Sequence, residues 1–284
     1  MQRLSQKVAE AVSAADIKAQ VEASARAQWD VTARVRDINY SGMPRVEKKS
    51  NSIPVTGIPK VTIDAPGCSV KVRGWDKQEV QYNVIQFTDN RNRGPVQMSE
   101  SHTNSTVNIK VSNTDAGAPQ GDVSNGLTRV RVEVFVPRKA DLKITANGEI
   151  RLEGVSGDID LSGNQESIDI RDVGGKMNLS TVCGQVRVIG FSGDLEAKTS
   201  TGDVYLEGDF NKLSAHAADG TVTLTLPADA NASIVSNTEV ESEGVDLVQE
   251  KDSVWRLGNG SRKYNFDFGD GHLIVRSASE ISGY

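Results

Sequence analysis

Cysteine is almost missing from this chain. Cys68 and Cys183 are the only two in 284 residues, and they stand far apart without CxxC spacing. That excludes a disulfide framework and offers no zinc pattern. Aromatic residues make up 5% and histidines number three, His102, His216 and His272, in unrelated segments. No run of about 18 apolar residues is present to cross a membrane. The opening "MQRLSQKVAEAV" lacks the continuous apolar stretch of a signal peptide. There is no long Lys/Arg run and the net charge is −6, so no basic face for nucleic acid is expected. GxxxxGK[ST], GxGxxG after a strand, GxSxG and HExxH are all missing. Charged residues at 25% and apolar residues at 37% still describe a globular chain rather than a disordered one.

What the chain has instead is a repeat. Apolar residues fall nine apart at Ile150, Ile159, Ile168, Met177, Val186, Leu195, Val204, Leu213 and Val222. A second set follows two residues later: Leu152, Leu161, Ile170, Leu179, Val188, Ala197, Leu206, Ala215 and Leu224. Two residues before the first set stand Gly148, Gly157, Glu166, Gly175, Gly184, Gly193, Gly202, Asn211 and Gly220. Glycine, and asparagine after it, are the residues that tolerate positive φ. Each unit therefore reads as a turn followed by a short strand of period-2 alternation. A fixed period means stacked units that bury a continuous apolar ladder no single unit could bury alone.

The turns alternate in type, which doubles the period to 18, or two strands per coil. Charge gives an independent check, because outward residues on adjacent rungs sit roughly 4.8 Å apart. At 18 residues per coil the columns read Asp158, Lys176, Asp194, Lys212, then Arg151, Asp169, Arg187, then Glu153, Arg171. Every adjacent pair is of opposite sign. A three-sided coil of 27 residues would stack Asp169 on Glu196 and Arg171 on Lys198, and like charges directly opposite destabilise a sheet. The expected fold class is all-β: a flattened parallel β-helix or β-roll, a solenoid of nine-residue units. Nine strands in two sheets make about four and a half rungs, roughly 22 Å of stack.

The flanks are less regular. Val61/Ile63 and Val70/Val72 repeat the nine-residue spacing, and Val80, Tyr82 and Val84 follow the Gly74-Trp75-Asp76-Lys77 turn. Residues 88–106 are polar. "TVNIKV" and "TRVRVEVFVP" read as longer antiparallel strands that cap one end of the stack. "SVWRLG", "KYNFDFG" and "HLIVRS" are expected to close the other end as looser strands. The expected organisation is an amphipathic helical segment over 1–37, a linker over 38–58, the solenoid over 59–277 and a tail over 278–284. Within the solenoid, 59–137 are capping strands and 142–226 the regular repeats. The helical segment is Ala-rich, with Leu4, Val8, Val12 and Ala15 at helical spacing, and could serve oligomerisation through residues 1–36.

The order "VKVRGWDKQEV", "VFVPRKADLKI", "NGEIRLEGVSGDIDLSG" and "LTLPADANASI" resembles the bacterial putative-adhesin family of the DUF4097 type, a family of unknown function. The resemblance covers roughly residues 59–277. It implies a β-helix-like domain, often tethered to the envelope, and brings no catalytic residues with it. An extracytoplasmic, envelope-associated location follows from the resemblance. A cytoplasmic one stays open because neither a signal peptide nor a membrane span is seen, and membrane association is expected only through a segment outside this chain.

The chemistry-bearing residues are sparse. Asp158 and Asp160 share one face, but the next rung sets Lys176 and Asn178 against them. Asp267 and Asp270 beside Gly269/Gly271 lack the alternating ligands of a calcium loop. The Gly-Asp steps at 157–158, 193–194 and 202–203 lack the second glycine and inward acid of a calcium roll. Ser156, Ser192, Thr199 and Thr201 have no histidine in their columns. His102, with acids such as Asp89 and Glu100, is the only reactive set near the irregular loops 88–106 and 112–127. No catalytic, cofactor-binding or metal site is therefore expected, and no cofactor. The expected function is a non-catalytic envelope-associated binding or scaffold domain, an adhesin or a regulatory partner-binding module, whose partner is a protein or glycan surface and not nucleic acid. The alternative is a carbohydrate-active β-helix enzyme such as a polysaccharide lyase.

Overall fold

The computed structural model of the protein describes residues 45–88, 96–112, 128–227 and 229–278. The helical segment expected over 1–37 lies outside them, as do Asp89 and most of the irregular loops. The fold is all-β, with no α-helix among the described residues. Among the described residues nineteen strands join in one sheet, nearly closed and barrel-like, with the core inside.

Two parallel ladders organise it. In the first, β2 (Lys60–Ala65), β8 (Asp141–Ala146), β10 (Ser156–Ser162), β12 (Gly174–Thr181) and the second half of β13 (Val186–Thr201) lie side by side. The second ladder runs through β3 (Ser69–Trp75), β9 (Ile150–Glu153), β11 (Ile168–Arg171) and the first half of β13. Long β14 (Val204–Leu226) crosses from one ladder to the other and back. Ile150 lies beside Ile168, and Ile159 beside Met177, so the step is 18 residues and the 27-residue pairing does not occur here. All eighteen repeat positions point inward and are buried, from Ile150 at 0% to Val204 at 4% exposure.

The turns explain the glycines, though not wholly by dihedral angle. Gly175, Gly184, Gly193, Gly202 and Gly220 do take positive φ. Gly148 and Gly157 do not, and are needed for close approach: a Cβ on Gly157 would fall 2.3 Å from the Ala140 carbonyl oxygen. Asn211 was expected at positive φ and is not. Opposite it the register slips, Gly193 pairing with Phe210 and Asp194 with Lys212, so Asn211 is the extra residue of a bulge. An earlier slip between Val188 and Phe191 shortens the preceding turn by one residue. The two cancel, which is why the nine-residue spacing runs undisturbed through the sequence.

The ends depart from expectation in three places. "TVNIKV" and "TRVRVEVFVP", expected as antiparallel caps, form β6 (Thr106–Ser112) and β7 (Thr128–Pro137), which run parallel to β2 and β3 and extend the same ladders. Antiparallel pairing begins one strand further out. There β4 (Glu79–Thr88) lies on β7 and β5 (Gln97–His102) on β6. Second, the expected linker carries β1 (Arg45–Pro54), antiparallel along the whole of β4. Its side chains are mostly exposed and polar, so no alternation marked it, and it forms because β4 offers an unpaired edge. Third, the "looser" closing strands include β19 (Arg262–Ser277). It continues both ladders beside β14, Leu213 meeting Tyr264 and Val222 meeting Leu273. The excursion between them holds β15 (Ala232–Ser236), β16 (Val240–Glu243), β17 (Val248–Lys251) and β18 (Val254–Leu257).

Val186 is fully buried in mid-ladder, between Ile168 and Val204. Val186→Asp places a carboxylate there with no partner and should cost at least about 3 kcal/mol, read as loss of a cooperative thermal transition. A parent-like melt would refute the inward assignment. At Gly193 a Cβ would lie 2.0 Å from the Gly175 carbonyl oxygen, at φ +139°. Gly193→Ala should lower stability by about 1–3 kcal/mol, and a denaturation midpoint equal to the parent's would show that the turn relaxes freely.

Candidate functional site

The outer surface of the first ladder carries three columns of side chains. One reads Lys60, Asp141, then Asp158, Lys176, Asp194, Lys212 and Lys263. The next reads Thr62, Lys143, Asp160, Asn178, Glu196, Ser214 and Asn265. The third ends in Lys198, His216 and Asp267. Neighbours in the second and third columns engage one another. Asn178 Nδ2 donates to Asp160 Oδ1 at 2.8 Å, Lys198 pairs with Glu196 at 2.6 Å, and His216 meets Asp267 at 2.9 Å. These pairs are exposed and each contributes at most about 1 kcal/mol.

The first column ends differently. Lys212 and Lys263 stand directly opposite each other across a rung. Both are exposed, and neither forms an ion pair with any described residue, nor does Lys176. They edge a shallow groove of about 660 Å³ whose rim also includes Asn178, Asp194, Glu196 and Arg262. Arg262 is held by Asp209 and donates to the Phe210 carbonyl at 3.1 Å. Under that corner Phe191 stacks on Phe210 with ring centroids 5.7 Å apart, and Phe210 meets the Tyr264 ring edge-on at 6.3 Å. Tyr264 OH donates to the Phe210 carbonyl at 2.8 Å. The aromatic stack and its bonds hold the backbone of Asn211–Lys212 against that of Arg262–Lys263, so the two lysine Cα positions stay adjacent.

The second ladder presents Arg73, Arg151, Glu153, Asp169 and Arg171 around a smaller hollow of about 260 Å³. The opposite charges foreseen across its rungs are adjacent, but most ion pairs close along the strand instead: Arg151 with Glu149 at 2.7 Å and Arg171 with Asp169 at 3.1 Å. Arg73–Glu153 at 2.9 Å does cross a rung. Tyr205 OH donates to Glu207 Oε2 at 2.9 Å.

The three histidines are not brought together. His102 lies on β5, His216 pairs with Asp267, and His272 meets Thr221 Oγ1 at 3.2 Å. Asp267 also accepts from Asn237, and Asp270 faces Asp219. Cys68 is buried, its Sγ meeting the Pro66 carbonyl at 3.7 Å, and Cys183 is half-buried. Among the described residues no group of His, Cys, Asp and Glu could hold a metal ion, and no helix is long and apolar enough to cross a membrane. The His102–Glu100 pair belongs to a bonded cluster. Glu100 accepts from Tyr82 OH, from Asn51 Nδ2 at 3.1 Å, and meets His102 Nδ1 at 3.1 Å. Glu100 on β5 is thereby tied to β1 and β4, joining the outer strands of the two ladders.

No protein-family model and no curated protein matches the chain. Among solved structures it is similar to a putative cell adhesion protein from Clostridium sporogenes at 12% identity and TM-score 0.38, covering 82% of this chain and all of that one. It is also similar to a putative adhesin from Bacteroides fragilis at 10% and 0.35, covering 81% and 97%. A putative lipid binding protein from Parabacteroides distasonis stands at 8% and 0.36, covering 82% and 97%. At such identities and scores the likeness carries no argument about ligand or activity.

The Glu100 cluster has a pH signature. Burial, then the bond to Glu100 and its charge, push the Tyr82 phenol up to about 12. Burial opposes ionisation of Glu100, but hydrogen bonds from Tyr82, Asn51 and His102 hold its carboxyl below the usual range. An unfolded tyrosine loses its proton near 10. Between about 10 and 12 the unfolded chain therefore binds fewer protons than the folded one, and stability should fall as pH rises through that window. Tyr82→Phe should reduce the fall in the urea midpoint. An alkaline limb of equal slope in the two proteins would show that the cluster does not form.

Proposed function

We propose that this chain is a non-catalytic binding or scaffold domain of the bacterial cell envelope. On this reading residues 59–277 are a β-solenoid of nine-residue strand-turn units, two to a coil, and the first ladder is its binding face. The observation that carries the reading is the Lys212–Lys263 pair. Two lysines, neither in an ion pair among the described residues, stand at directly opposite backbone positions beside a groove, where the columns elsewhere mostly set acid against base. Like charges held together cost stability, and an anionic partner relieves that cost. Extended flat faces suit contact with a surface or a polymer more than enclosure of a small molecule. The envelope location rests on the sequence resemblance, and a protein or glycan is the class of partner it suggests.

Co-sedimentation of the full chain with a bacterial envelope preparation tests this. The bound fraction should fall steeply between 50 and 200 mM salt, and about tenfold on double charge reversal, Lys212→Glu with Lys263→Glu. Equal sedimentation of parent and folded variant would overturn the assignment of the face. Incubation with uronic-acid polymers or peptidoglycan, with and without calcium, should give no cleavage products. Turnover that is lost on substituting His102 or Asp158 would replace this reading with a lyase.

A further inference from the structure

We propose that the groove on the first ladder binds an acidic polysaccharide whose carboxylates recur on alternate sugars, one seated on the Lys212–Lys263 pair and the next near Lys176. The inference rests on the binding-face reading above and names its ligand.

Four like-charge neighbours face each other across rungs among the described residues, and they differ in what surrounds them. Asp141 and Asp158 each also face a lysine, Lys60 and Lys176, and Asp141 accepts from the Asp158 backbone N–H at 3.1 Å. Lys71 faces Arg151, but Arg151 is paired with Glu149 and Lys71 has Glu133 on its other side. Asp219 faces Asp270 at a turn where both side chains are exposed to solvent. Lys263 has only Lys212 and Ser233 as ladder neighbours. Lys71 and Arg151 border the smaller hollow of about 260 Å³, whereas the lysine pair borders the larger groove of about 660 Å³. A carboxylate between two ammonium groups carried on backbones roughly 4.8 Å apart can accept from both, and charge-assisted hydrogen bonds of this kind are the strong ones.

The groove's remaining groups define what lies between the charges. From Lys176 to Lys212 is two rungs, roughly 9.6 Å, and Asp194 stands midway. Asn178, Ser214 and Asn265 form the parallel column beside it. A carboxylate, two amides and a hydroxyl are acceptors and donors for sugar hydroxyls. Asp194 and Glu196 would repel a ligand charged at every unit, which argues against polyphosphate or nucleic acid. No aromatic side chain lines the groove, so rings are held by their edges and not by stacking. The ligand fitting this pattern carries a charge, then a neutral hydroxyl-rich sugar, then a charge.

Hyaluronan oligosaccharides, with a uronate on every second sugar, are the probe; polygalacturonate, polyphosphate and neutral dextran are the comparisons. Titration calorimetry of the full chain at low salt should show hyaluronan binding more tightly than polygalacturonate, and no binding of dextran. Lys212→Gln and Lys263→Gln should each weaken hyaluronan binding about two- to fivefold, and together roughly tenfold. Lys71→Gln on the opposite ladder should leave it unchanged. Equal affinity for dextran, tighter binding of polyphosphate, or indifference to the double substitution in a protein with parent-like circular dichroism would overturn the proposal. If no uronate polymer binds while sedimentation with envelopes stays lysine-dependent, the ligand assignment fails and the binding face stands. If sedimentation too ignores the lysines, both fail.

Discussion

The whole molecule depends on how closely one turn can lie on the next. Parallel strands 18 residues apart pair only if the chain turns at the same height on every rung, and the turn backbones then touch. Gly157, Gly175 and Gly193 form one such column, and Gly202, Gly220 and Gly271 another. In each, a Cβ would sit inside a backbone carbonyl of the rung before. The apolar ladder supplies the favourable free energy of burial, but it cannot choose between neighbouring registers on its own, because Val, Ile and Leu are interchangeable to within about 1.5 kcal/mol. Contact between turns removes that freedom. It also fixes the outward side chains, so the charge columns on the surface are consequences of the turns within.

Register set this way lets the ladders be interrupted without being lost. Between β3 and β8 the chain leaves the growing end of the stack to build β4 to β7 on the far side of β2 and β3, and between β14 and β19 it leaves to build β15 to β18. In each case it returns with the same residues inward, Val70 beside Ile150 and Val222 beside Leu273. Each excursion leaves outer strands to be dealt with. At the first end Glu100 binds Tyr82 and Asn51 together. At the other, β18 runs antiparallel to β15, and β17 antiparallel to β18. Their outward residues include Glu250 and Lys251, charges that discourage pairing with another sheet.

The regular ladders were legible because burial imposes period 2 and the turns impose period nine, and both leave marks on single residues. What escaped left no such mark. β1 is half in solvent, so "RVEKKSNS" shows no alternation. β5, "QMSESH", is polar for the same reason. The return of β19 was hidden by a register offset of 51 residues in place of 18, though a trace existed: "KLSAHAADGTVTL" and "KYNFDFGDGHLIV" share Lys, three alternating inward positions, Asp-Gly and two more inward positions. Aligning them would have placed Lys263 beside Lys212. Ending the first column at Lys212 left its alternation of sign unbroken, and so concealed the candidate site.

That break in alternation separates a stabilising surface from a binding one. In a rigid parallel ladder a side chain cannot choose its neighbour, so the sequence alone decides whether adjacent columns attract or repel. Where opposite charges meet, as at Arg73 and Glu153, the pair satisfies itself and has little left for a ligand. Where Lys212 meets Lys263 over a stack of Phe191, Phe210 and Tyr264, the repulsion cannot be relaxed by the backbone moving apart. The corner is therefore preorganised for an anion in the same sense that a designed site is: its cost is met by the core beneath, before any ligand arrives. A flexible loop carrying two lysines would spread them in the free state and have to bring them together on binding. Here the backbone part of that ordering is done by folding, and only the lysine side chains are left to be ordered by a ligand.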